Sequence, residues 1–128
     1  MSGRFASRIP RPADLRAAGW ALGALRDLRS RLGVEGPDAT VTDPPPLPAP
    51  AVRAVRATLR ARRASCLEGA MILQRWHAAH GRPLDLVIGV SAPGPDFHAH
   101  AWLEGEDSLP GGELTEILRR PAATSDRV

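Results

Sequence analysis

With 128 residues and an apolar fraction of 43%, the chain is sized for one domain with a modest core. The net charge is only +3, and acids are interspersed with the 17 basic residues except between Arg53 and Arg63, which argues against a nucleic-acid module. A single cysteine excludes an internal disulfide and fits a reducing compartment, and no apolar run approaches the length of a membrane span.

All the basic residues are arginine, and lysine, asparagine and tyrosine are absent. That pattern fits a bias toward G/C-rich codons, so the basic balance says little about partners. The missing asparagine also rules out a Cys-His-Asn triad. The N-terminus carries no apolar signal segment, so a cytoplasmic protein is expected.

Residues 1–12, with three arginines and two prolines, read as a loose arm. A helix is expected from Asp14 or Ala13, with Leu15, Ala18, Leu22, Leu25, Leu28 and Leu32 as its apolar stripe and Gly33 as its stop. Residues 34–50 form a proline-rich connection, read as a stiff linker on the surface. Residues 51–63 read as a short helix. Val52, Val55 and Leu59 line one side; Arg53, Arg56, Arg60 and Arg63 line the other, as a solvated face or one that meets an acidic partner.

Ser65-Cys66-Leu67-Glu68 opens the next helix. Ser65 is a good N-cap and Glu68 completes a capping box, which puts the cysteine in the first turn. Free N–H groups and the positive end of the helix dipole there favour a thiolate. The helix runs to about His80, with Leu67, Ala70, Met71, Leu73 and Ala78 on a broad apolar face. His77 and His80 read as C-terminal capping residues before Gly81; with one cysteine, HxxH lacks the second pair of a zinc site, so no metal is expected.

Leu84–Ser91 is a β-branched run and Phe97–Glu104 a second strand, an antiparallel hairpin across the Pro-Gly-Pro turn. His98, His100 and Trp102 share one face of the second strand. Glu113–Arg120 is expected as a third strand closing a meander, and the tail from Pro121 as frayed. Cysteine at a helix start and histidine on a following strand are the parts of a thiol hydrolase. The histidine takes the thiol proton, a carboxylate orients its ring, and the backbone N–H of Cys66 offers an oxyanion donor.

Ser65-Cys66-Leu67, Gly81-Arg82-Pro83, Leu86-Val87-Ile88-Gly89-Val90 and Ala99-His100-Ala101-Trp102-Leu103-Glu104 together resemble the transglutaminase-like leader peptidases of lasso-peptide biosynthesis, over roughly residues 50–120. The resemblance implies an α+β fold with a papain/transglutaminase-like core, in which N-terminal helices and a nucleophile-bearing helix pack on a small antiparallel sheet. It also implies a single domain over 1–128 and a cysteine peptidase that removes a leader from a ribosomally made precursor. Its partners would be that leader, a winged-helix recognition protein and an asparagine-synthetase-like cyclase, with no cofactor, no nucleic acid and no membrane. Cys66 matches the nucleophile and His100 the base, with His98 as rival. Where the family carries an aspartate on the next strand, this chain has Gly112; Glu116, Glu113 and Asp107 are the substitutes, in that order, from the expected hairpin geometry. The alternatives are an acyltransferase that gives the thioester to an amine, or a binding module using the arginine face.

Overall fold

The computed structural model describes residues 11–91, 98–106 and 114–123. Among them, helices α1 (Pro12–Glu35), α2 (Val52–Ala61) and α3 (Cys66–Ala79) precede strands β1 (Leu86–Ser91), β2 (Ala99–Leu103) and β3 (Leu114–Arg120). This is the expected α+β arrangement of helices on a small antiparallel sheet. No helix among the described residues is long and apolar enough to cross a membrane.

α1 begins earlier and ends later than its sequence pattern indicates. Pro12 sits in the first turn, where its fixed φ suits a helix and its missing N–H costs nothing, so Asp14 lies inside the helix rather than capping it. The helix passes through Gly33 and ends at Gly36, whose φ of 60° and ψ of -145° are open to glycine but strained for a residue with a Cβ, and whose N–H closes on the Leu32 carbonyl. Its buried seam is Ala17, Ala21, Leu25 and Leu28, while Leu15 is 60% exposed. Leu25 and Leu28 of the expected row are buried, and the first half of the seam is set by the small residues Ala17 and Ala21 in place of Leu15.

The proline-rich connection is part of the core rather than a surface strap. Pro44 is fully buried, and Ala39 and Leu47 belong to the buried set. Prolines have no N–H to leave unpaired, which makes such a segment cheap to bury. The Trp20 indole donates to the Thr42 carbonyl at 3.1 Å, and Arg75 Nε lies 2.8 Å from Asp43 Oδ1.

α3 is the most buried helix: Ala70, Met71, Ile72, Trp76 and His77 are all inside. Trp76 is the largest fully buried side chain, 5.8 Å from the Trp20 ring and stacked on His80 at 4.5 Å. As expected, His80 ends the helix; its ring nitrogens lie 2.7 Å from the Trp76 carbonyl and 2.8 Å from that of Leu47. His77 is not a cap but a buried residue bonded to Glu106.

The sheet order is β2-β1-β3, not a meander. β1 is central and antiparallel to both neighbours. Leu86 and Leu103 face the helices within the core. Between Ile88 and Gly89 the β3 register skips Ile117, a bulge that leaves this side chain 60% exposed.

Candidate active site

The start of α3 is built as the sequence indicates. The Ser65 hydroxyl accepts from Glu68 N–H at 3.1 Å, and Glu68 Oε1 accepts from Ser65 N–H at 2.8 Å. Arg29 of α1 adds a fork onto both Glu68 oxygens, at 3.1 and 3.2 Å, and bonds the Arg62 carbonyl at 3.0 Å. Burial raises the Glu68 pKa, but the Arg29 and Ser65 hydrogen bonds outweigh it and hold the carboxyl below its usual range. The charge of the capping glutamate is thus matched by arginine, and Cys66 is left exposed at the helix N-terminus.

The sulfur meets the free edge of the sheet. Ser91 N–H donates to the His98 carbonyl and Glu104 N–H to that of Asp85, so residues 98 and 104 bond toward β1. By the antiparallel alternation, Ala99, Ala101 and Leu103 turn their backbone groups to the open edge. Ala101 N–H donates to Cys66 Sγ at 3.4 Å. The thiol is therefore anchored to the main chain one residue beyond His100.

His100 is exposed on β2, opposite Gly89, with its ring 6.4 Å from that of His98. Among the described residues its imidazole makes no hydrogen bond, to Cys66 or to any other group. Glu116 is also opposite Gly89, but from β3 on the far side of β1. The expectation that positions 100 and 116 face each other across a hairpin is corrected: they occupy one row of one face with the glycine between them, their strands about 9.5 Å apart. The Trp102 ring lies over that glycine. The Glu116 carboxylate is held by Arg119 at 2.7 and 3.0 Å, which lowers its pKa, and Arg119 also pairs with Asp85 and Glu104. Glu113 and Asp107 lie outside the described residues.

Beside Cys66 a groove of about 330 Å³ runs between α2, α3 and β2. Leu59, Ala70, Leu73 and Leu103 make its walls apolar, Arg56 and Arg60 stand on its α2 side, and Glu106 on its wall is bonded to Arg56 at 2.9 Å and to His77 at 3.1 Å. Sequence reasoning missed this cluster, because Glu106 reads as one more turn charge. The available signal was His77 itself, which falls on the buried arc of α3 with Ala70 and Trp76 and so needs a partner.

A capped helix that delivers an exposed thiol to the edge of an antiparallel sheet, next to a histidine-bearing strand, is the frame of a thiol acyl-transfer site. The sequence model of the transglutaminase-like superfamily matches residues 12–119, from the first residue of α1 to the last but one of β3. Searches of the curated proteins and of the solved structures gave no match. The chain belongs to the transglutaminase-like superfamily.

Proposed function

We propose that this protein is a cysteine peptidase that removes the leader from a ribosomally synthesised lasso-peptide precursor. The observation that carries it is the exposed Cys66 sulfur, held by Ala101 N–H at the free edge of the strand that bears His100. The superfamily match supports thiol chemistry, and the leader-peptidase reading rests on the motifs around Cys66, Gly89 and His100.

In this reading His100 takes the proton from Cys66, and the sulfur attacks the carbonyl carbon of the scissile amide. The C–N bond breaks, the leaving amine takes the proton from the imidazolium, and a thioester remains on Cys66. Water, deprotonated by His100, attacks the thioester; the C–S bond breaks and the thiol regains its proton. Backbone N–H groups at the start of α3 stabilise the oxyanion in both halves. His100 alternates along β2 with Ala101 and Leu103, which pack on the helices. The proton transfer from Cys66 therefore requires its ring to come round the strand edge to the sulfur in the substrate complex, where catalytic hydrogen bonds often first form. For Glu116 to orient the ring it must exchange Arg119 for His100; Cys66 and His100 carry the reaction without it. A winged-helix recognition protein presents the leader, and an asparagine-synthetase-like cyclase takes the product.

The test is mass analysis of a precursor incubated with this protein and its recognition partner. Release of free leader by the unaltered protein, and none by Cys66→Ala or His100→Ala variants that melt normally, is the expected result. Release that survives Cys66→Ala overturns the reading, and a product carrying an added amine turns it to acyl transfer.

A further inference from the structure

The groove beside Cys66 has two features that packing does not explain. The first is Gly69, on the groove side one turn below the nucleophile. Glycine is less favourable than alanine inside a helix. A Cβ at Gly69 would rest 3.9 Å from Leu59 Cδ1, an ordinary contact, so the chain's own packing does not call for glycine there. Its effect is to leave that stretch of the groove wall, three residues from Cys66 and facing Leu59, without a side chain.

The second is Arg60. Arg56 is bonded to Glu106, whereas Arg60 lines the groove with no partner among the described residues. It lies one turn from Arg56 along α2, toward the turn that leads into Cys66. The far end of the groove thus has its charges matched, and the end near the nucleophile carries an unmatched cation. From Cys66 to Leu73 the α3 side of the groove is about 10 Å long, room for about three residues of extended chain.

We propose that this groove selects the substrate: an extended peptide that seats an apolar side chain in the space at Gly69 and sets an acidic side chain against Arg60, next to the bond that is cut. The assignment rests on the peptidase reading for what happens at Cys66, but its recognition element stands on the groove alone. Charge complementarity and the apolar walls fix the occupant as a peptide with neighbouring apolar and acidic residues.

The probes are labelled short Gly/Ser/Thr peptides with one central leucine flanked on both sides by aspartate, serine or arginine. Binding to the Cys66→Ala protein is read by fluorescence anisotropy at low salt, and cleavage with the unaltered protein. The aspartate peptide is expected to bind about tenfold tighter than the serine peptide, and the arginine peptide weakest. Arg60→Glu should reverse that order. Arg53→Glu, the same change of charge off the groove, should leave it. Gly69→Leu should weaken the leucine peptide about tenfold while a peptide with glycine in its place is unaffected, and Gly69→Ala should show the same trend in a fully folded protein. An order untouched by Arg60→Glu, or no binding by any probe, overturns the assignment. Charge-dependent binding without Cys66-dependent cleavage overturns the peptidase reading and keeps the groove; Cys66-dependent cleavage blind to Arg60→Glu does the reverse.

Discussion

Trp102 covers Gly89 so closely that a Cβ on the glycine would lie 2.8 Å from Cη2 and 3.0 Å from Cζ3 of the indole. It would also lie 3.3 Å from Leu114 Cβ, so strands on both sides of β1 crowd the same position. Gly89→Ala must therefore push β2 or β3 outward or turn the indole from its rotamer. The expected cost is about 1–3 kcal/mol, the usual penalty of overpacking. Urea denaturation followed by tryptophan fluorescence checks it, and unchanged stability would show that the ring can move freely.

Local patterns made the start of α3 legible, because a capping box is written within Ser65–Glu68 itself. The strand nature of Leu114–Arg120 was legible too, but its partner was not. Chain proximity favours β2 as its neighbour, yet no strand pairs with the outer edge of β2 among the described residues, and the Cys66 end of α3 meets that edge through Ala101 N–H. β3 goes to the other side of β1, which moves Glu116 away from His100, and its carboxylate pairs with Arg119 of its own strand. The core was misread where small residues do the packing, at Ala17 and Ala21, and where prolines turn inward, as at Pro44. Hydrophobic periodicity weights leucine and overlooks both.

The groove wall should respond to acid through His77. Burial is the main influence and holds the imidazole pKa below its usual value, against the opposing pull of Glu106; Arg82 and Arg56 add to the lowering. The unfolded chain takes up a proton near about pH 6.5, and the folded protein only at lower pH. In that window the unfolded state binds more protons, so stability falls as pH drops below about 6.5. Melting temperatures across this range should fall less steeply for His77→Gln than for the unaltered protein. Equal slopes would remove His77 from the account.

The Arg29–Glu68 fork joins α1 to the first turn of the nucleophile helix. The folded Glu68 pKa lies below the usual carboxylate range, so its contribution is present above about pH 4.3 and is lost as pH falls through the lowered value. Glu68→Ala removes the charge pair and half of the capping box, at an expected cost of about 1–2 kcal/mol. Arg29→Met should cost less, about 1 kcal/mol or under, because the arginine is substantially exposed. Chemical denaturation at neutral pH separates the two, and a larger loss for Arg29→Met would reverse this ranking.

Arg63 holds a φ of 53° in the turn between α2 and α3, where a side chain is strained and glycine is not. The turn is fixed from both sides: Arg63 N–H donates to the Arg60 carbonyl at 3.1 Å, and Arg29 bonds the Arg62 carbonyl at 3.0 Å. Arg63→Gly should relieve the strain and leave those backbone bonds intact. Glycine's greater freedom in the unfolded chain offsets part of the gain. The net expectation is a stabilisation of up to about 1 kcal/mol, read as a raised melting temperature. A lowered one would mean that the arginine side chain itself holds the turn.

His100 lies on the edge strand and His98 just before it, with rings 6.4 Å apart, yet only His100 adjoins the residue whose N–H reaches the sulfur. His98 uses its backbone instead, donating N–H to Ser91 Oγ at 2.8 Å and offering its carbonyl to Ser91 N–H. The two histidines are therefore separable by substitution. Iodoacetamide labelling of Cys66 at neutral pH needs no substrate and reports on the sulfur directly. His100→Ala should slow labelling and lower leader release by about a hundredfold or more, the usual contribution of a positioned general base. His98→Ala should leave both within about threefold, a change of under 1 kcal/mol. Slowing by His98→Ala with no effect of His100→Ala would hand the base to the earlier histidine.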